Sequence, residues 1–240
     1  MLEAFRDRCS FRQYIANKPA KYGLKIFALT DARMFHTMKL EAYCGTQPQG
    51  PFSVDNRTSA VDERMVESLK GTGRNVTMDN WFSSVPLIQK LARDDNLTVA
   101  ATLKKNKREL PPECARTRPR PVNSSLFAFR ENSTLVSYVP KKYKNVLLIF
   151  SMHDSDDIDA TTGDLNKPEI ITFYNLTKGG VDVVDKMKAE YSRARVSHRW
   201  PPASIIFYNA RHRSNKCRNR FVPQHNGENN EKIVFESTSL

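Results

Sequence analysis

The sequence predicts an α/β domain interrupted by a β-rich insertion. Three observations carry this. Through roughly the first hundred residues, apolar runs rich in β-branched and aromatic side chains, such as Tyr22–Asp31, alternate with segments of helical period. From 104 to 172 that order gives way to short alternating segments between basic, proline-broken loops. A glycine pair, Gly179-Gly180, then leads into a helix with acids in its first turn.

Each element follows in turn. Residues 12–21 are polar and contain Pro19, which reads as a linker or turn. The run Tyr22–Asp31 is a buried strand, and 35–44 is its hairpin partner across Asp31-Ala32-Arg33. Val61, Met65, Val66 and Leu69 recur with a helical period, and Gly71 and Gly73 end that helix. Asn75–Met78 is a strand that delivers Asp79. Ser83 or Ser84 caps the next helix, which carries Pro86 in its first turn and runs to about Asp94. Residues 97–103 form another strand, and short strands follow near 126–129, 135–139 and 146–150. Helices are predicted over 181–195 and 203–213, and a polar tail from Pro223. In domain terms, 1–103 is the first part of the core, 104–172 the insertion, 173–220 the C-terminal helices and 221–240 a disordered tail.

Composition narrows the function classes. The 240 residues can bury a sizeable core, and 38 Lys+Arg against 26 Asp+Glu give a net charge of +12. Such a balance attracts polyanions, nucleic acid first and anionic membrane surface second. No apolar run approaches the ~20 residues of a membrane span, so no membrane partner is expected. Asp7 and Arg8 stand where a signal peptide needs an apolar stretch. Cys9, Cys44, Cys114 and Cys217 stand far apart with no C-x-x-C pair, which argues against a zinc site or disulfide framework and for reduced thiols.

Two stretches carry the candidate chemistry: Met78-Asp79-Asn80-Trp81-Phe82-Ser83-Ser84, and Tyr174-Asn175-Leu176-Thr177-Lys178-Gly179-Gly180-Val181-Asp182-Val183-Val184-Asp185. The second reads as a loop feeding a helix, its glycines allowing a close approach of backbones. Carboxylates that crowd together repel, and a divalent cation is the usual reason to tolerate them. Taken alone, Asp79 also suits a turn, and Asp182 with Asp185 also suits the positive end of a helix. Trp81 and Phe82 read as core. The acidic run 153–159 lacks the glycine and glutamate of a calcium loop, and Lys178-Gly179-Gly180 lacks the frame of a phosphate loop. Basic clusters at 104–108, 116–120, 193–199 and 211–220 are either solvated faces or phosphate contacts, and four of them in a chain this basic favour phosphate.

The order and spacing of five fragments resemble the catalytic core of piggyBac-type DDE transposases, from about Phe5 to about Asn215. The fragments are Asn17-Lys18-Pro19 with Lys21-Tyr22-Gly23; Asp79-Asn80-Trp81-Phe82; Asn106-Lys107-Arg108-Glu109; Tyr174-Asn175 with Lys178-Gly179-Gly180-Val181-Asp182; and Arg199-Trp200-Pro201. The resemblance implies an RNase H-like core with a β-rich insertion, Asp79 as the second catalytic aspartate, Asp182 as the third, and Asp185 as an additional acid. It implies Mg²⁺ or Mn²⁺ held by Asp79 and Asp182, DNA as the partner, the nucleus as the location, and a homodimer as an assembly of the full-length family. Trp200 matches a tryptophan implicated in DNA contact near the active site; it either stacks on an unpaired base or fills the start of the last helix. The expected DNA-contacting residues are Trp200, Arg199, Lys104, Lys105, Lys107 and Arg108.

No aspartate of this sequence matches the family's first catalytic position, which precedes the segment resembling Met1-Leu2-Glu3-Ala4-Phe5-Arg6. The core is therefore expected to lack its first strand, and the chain to be truncated at both ends relative to the family. The expected function is a transposase-derived DNA-binding core, catalytically inactive as written. One alternative is a fragment of an active enzyme that performs metal-dependent DNA cleavage and strand transfer. Another is an interaction module whose basic surface takes a partner other than DNA.

Overall fold

A computed structural model of the chain describes residues 1–190, apart from 7, 52, 131, 153 and 154, and residues 232–236. The strands in chain order are β1 (Leu2–Ala4), β2 (Gln13–Tyr14), β3 (Tyr22–Asp31), β4 (Thr37–Ala42), β5 (Asn75–Met78), β6 (Thr98–Thr102), β7 (Ser125–Arg130), β8 (Ser133–Lys141), β9 (Lys144–Phe150) and β10 (Lys232–Glu236). The helices are α1 (Thr58–Val66), α2 (Val85–Arg93), α3 (Pro112–Ala115), α4 (Glu169–Thr177) and α5 (Gly180–Glu190). The chain divides into two compact units, one containing Met1–Ser68 and the helix that follows Gly179, the other Leu69–Lys178.

In the first unit β3 is the spine. It pairs antiparallel with β4 through Ile26↔Ala42 and with β1 through Leu2↔Lys25 and Ala4↔Gly23. Gly23 permits that second pairing, because a Cβ there would stand 2.2 Å from the Glu3 carbonyl oxygen. Met1, Ile26 and Ala28 pack with Val181 and Val184 of α5, and Met187 closes the same cluster. The helical period of α5 thus buries one apolar stripe against β3.

In the second unit β5 and β6 run parallel, Val76↔Val99, joined by α2 as a crossover. Ser84 caps α2, its hydroxyl accepting from the Leu87 amide at 3.4 Å, and Pro86 occupies the first turn as expected. The insertion does form β strands, β7 to β9, but it is not a separate layer. β9 pairs antiparallel with β6, Ala100↔Phe150, so the insertion extends the sheet of its own unit. α4 covers this sheet: Ile170 and Ile171 pack on Ala100, Val136, Leu148 and Phe150.

Four sequence expectations change. Residues 174–177, read as loop, are the last turn of α4. Gly179 permits no close approach, since an added Cβ there meets nothing within 4 Å. The partner of β3 is shorter than the predicted 35–44, running over Thr37–Ala42, and before it the Asp31 amide donates to the His36 carbonyl in the connecting turn. Lys232–Glu236, within the predicted tail, is a strand. Residues 191–195 of the predicted α5, and the helix predicted over 203–213, lie outside the described residues.

Candidate catalytic positions and nucleic-acid interface

Asp79 follows the last residue of β5, a strand buried along its whole length. Its Oδ1 accepts from the Asn80 amide at 2.6 Å, while its carbonyl accepts from the Phe82 amide at 3.1 Å and the Ser83 hydroxyl at 2.7 Å. The carboxylate thus organises the turn that carries Asn80 and Trp81. Phe82 is core, and Trp81, half-buried, meets it edge-on at 4.7 Å between ring centroids. Two residues earlier the Thr77 hydroxyl donates to Thr177 Oγ1 at 2.9 Å, tying β5 to the end of α4 across a hundred residues of sequence.

Asp182 is exposed on the first turn of α5, between the buried Val181 and Val184. Asp185 sits one turn on, but as the partner of a cation. Lys188 Nζ lies 2.9 Å from Asp185 and 3.0 Å from Glu3, and both Lys188 and Glu3 are buried. Glu3 and Lys188 were missed as charged core positions. The i,i+3 spacing of Asp185 and Lys188 was the available signal, whereas Glu3 reaches them through tertiary structure. Asp79 and Asp182 belong to different units. Among the described residues no group of three or more His, Cys, Asp or Glu comes together to hold a metal ion.

Asp62 on α1 is fully buried, and neither carboxylate oxygen has a hydrogen-bond partner. Burial, with a smaller contribution from the nearby charge of Glu63, pushes its carboxyl up to about 9. It is therefore a protonated acid at neutral pH.

The basic candidates separate by what they touch. Lys105 and Arg108 are exposed, with Lys104 and Lys107 half-buried. Arg120 turns inward: it donates to the Ser137 hydroxyl at 2.7 Å, to the Ser137 carbonyl at 2.6 Å and to the Ser124 carbonyl at 3.0 Å. Desolvation lowers its guanidinium from its ordinary range. Arg120 is therefore structural, while Arg116 and Arg118 of the same predicted cluster stay exposed. Arg199 and Trp200 lie outside the described residues.

The sequence matches the family described as Transposase IS4, a family of DDE transposases, over residues 1–210. The chain belongs to that transposase family. It is also similar to piggyBac transposase as seen by cryo-EM in a synaptic complex with hairpin DNA. The two are 35% identical with a TM-score of 0.81, over 90% of this chain and 44% of that one. The RNase H-like α/β fold is thereby established for this member of the family. The chain spans less than half the length of the transposase it matches.

Proposed function

We propose that this chain is a transposase-derived DNA-binding core that, made as written, neither cleaves nor joins DNA. The observation that carries the binding is its similarity, over nine-tenths of its length, to a transposase seen in a DNA complex. The net charge of +12 and the exposed cations after β6 support it. These cations attract backbone phosphates, which give affinity and register without reading base sequence. Lys104, Lys105, Lys107 and Arg108 are assigned this role, as are Arg199 and Trp200 from the family motif.

Asp79 and Asp182 are assigned as the family-derived metal positions, for Mg²⁺ or Mn²⁺. Two-metal phosphoryl transfer needs a carboxylate shared between the ions as well as flanking ones. The sequence offers no match for that first acid, and Asp185 is engaged with Lys188. Asp79 and Asp182 would supply two of the carboxylates of such a centre and not the third, so no chemical step is assigned to them. On the same reading we propose the nucleus as its location, since DNA is the partner.

Equilibrium binding to a fluorescent duplex at low salt tests the binding: saturable association is expected, and its absence overturns the reading. Incubation of a transposon-end substrate with Mg²⁺ or Mn²⁺ tests the inactivity. No nicking is expected, and metal-dependent nicking abolished by Asp79→Ala would contradict it.

A further inference from the structure

The second unit gathers basic segments at one end of its sheet that lie far apart in sequence. Thr102↔Leu148 continues into a bond from the Leu103 amide to the Leu147 carbonyl at 2.9 Å. Antiparallel pairing therefore leads Lys104 and Lys105 out toward the Lys144 end of β9. α3 is fastened to the same end, because the Cys114 carbonyl accepts from Asn145 Nδ2 at 2.8 Å and from the Ser137 hydroxyl at 2.7 Å. The chain leaves α3 through Arg116 and Arg118. The third segment is the β8–β9 hairpin itself, closed by the Lys141↔Lys144 pair, with Lys142 and Tyr143 as its two-residue turn.

All four residues of the hairpin tip are exposed, and none is acidic. Tyr143 is 53% exposed and holds a φ of 64°, a left-handed backbone that tyrosine rarely adopts. Asn or Gly would serve the turn at lower cost, so turn geometry alone does not account for a tyrosine there. The ring is flanked by cations: the Arg118 guanidinium carbon lies 4.5 Å from its centroid and Lys142 Nζ lies 5.3 Å away. A flat ring beside a guanidinium, on a turn that carries lysines, is an arrangement that stacks a base while neutralising its phosphates.

We infer that this tip, Lys141-Lys142-Tyr143-Lys144 with Arg118, is a contact for DNA that carries unpaired bases. The three lysines take successive phosphates, and the Tyr143–Arg118 pair takes the face of a base. The assignment rests on the DNA-binding reading above and adds to it a surface and a preference.

The test is fluorescence anisotropy of the full chain against two probes, a blunt duplex and the same duplex with a single-stranded overhang. Lys141→Glu/Lys142→Glu/Lys144→Glu should weaken binding to both at least tenfold, and should flatten the plot of log affinity against log salt by roughly two to three, about 0.9 for each lost duplex phosphate. Tyr143→Ala should weaken overhang binding roughly tenfold and leave the blunt duplex unchanged, with Tyr143→Phe restoring it. Thermal melts of each variant should superimpose on wild type, since the tip is solvent-facing. If wild type binds DNA and these variants bind equally well, this inference fails while the DNA-binding reading stands. If wild type binds neither probe, the DNA-binding reading fails and the inference with it.

Discussion

In the unit built on β5 to β9, the half-buried guanidinium of Arg120 meets three oxygen acceptors, and the buried Thr77 and Thr177 hydroxyls meet each other. In the unit built on β1 to β4, the buried carboxyl of Asp62 meets no acceptor or donor, and Lys188 sits buried between Glu3 and Asp185. Polar groups withdrawn from water cost little when paired and much when not. The first unit therefore carries charge whose cost changes with pH and with any loss of a partner, while the second spends its exposed cations at the basic end of its sheet.

The largest effect expected from that contrast belongs to Asp62. Its carboxyl rises from an ordinary 3.8 to about 9 on folding, so the folded state holds a proton that the unfolded chain releases. Stability is fully present below about pH 4, falls as pH rises toward 9, and levels off above that. At about 1.4 kcal/mol per pH unit, this amounts to about 4 kcal/mol lost between pH 5 and 8. Denaturant melts at several pH values check it. Asp62→Asn should remove this slope, and Asp62→Leu should raise the midpoint at pH 8. A wild-type slope retained in Asp62→Asn would show that other groups cause it.

Lys188 comes next. Lys188→Met strands the buried Glu3 carboxylate and should cost about 3 kcal/mol in the same melts, whereas adding Glu3→Leu should recover most of the loss. A loss in the double variant equal to the sum of those in Lys188→Met and Glu3→Leu alone would mean that the pair is not coupled. In the other unit, Thr177→Val leaves the Thr77 hydroxyl with only the 3.5 Å contact to Asn75 Oδ1 and should cost about 1 kcal/mol, with Thr77→Val/Thr177→Val closer to wild type. Smallest is Ser84→Ala, which removes the cap of α2 and should cost about 1 kcal/mol.

The same contrast shows which parts were legible in sequence. β3 and β5 were readable because long apolar runs have little choice but to be buried strands. α2 was readable from Ser84 and Pro86, whose chemistry is local. α4 was not: Tyr174, Asn175 and Thr177 are weak helix formers, and burial of Ile170 and Ile171 against the sheet specifies the helix instead. Asp62 shares a helix face with Met65 and Val66 at i+3 and i+4, but a carboxylate there reads as solvent-facing until the packing is seen. Asp79 and Asp182 were found through family motifs. What their neighbours do, Asn80 bonding to one and Lys188 engaging the acid beside the other, depends on turn and tertiary geometry. The hairpin tip escaped notice because Lys142 and Tyr143 look like an ordinary turn until Arg118 is brought beside them.

DNA held through its phosphates must be held less tightly as salt rises. The most direct measurement is the affinity of the whole chain for a labelled duplex across a series of salt concentrations. If about seven phosphates are neutralised, by Lys104, Lys105, Lys107, Arg108, Lys141, Lys142 and Lys144, log affinity should fall against log salt with a slope of about −6. A slope near zero, or no association at the lowest salt, would contradict it.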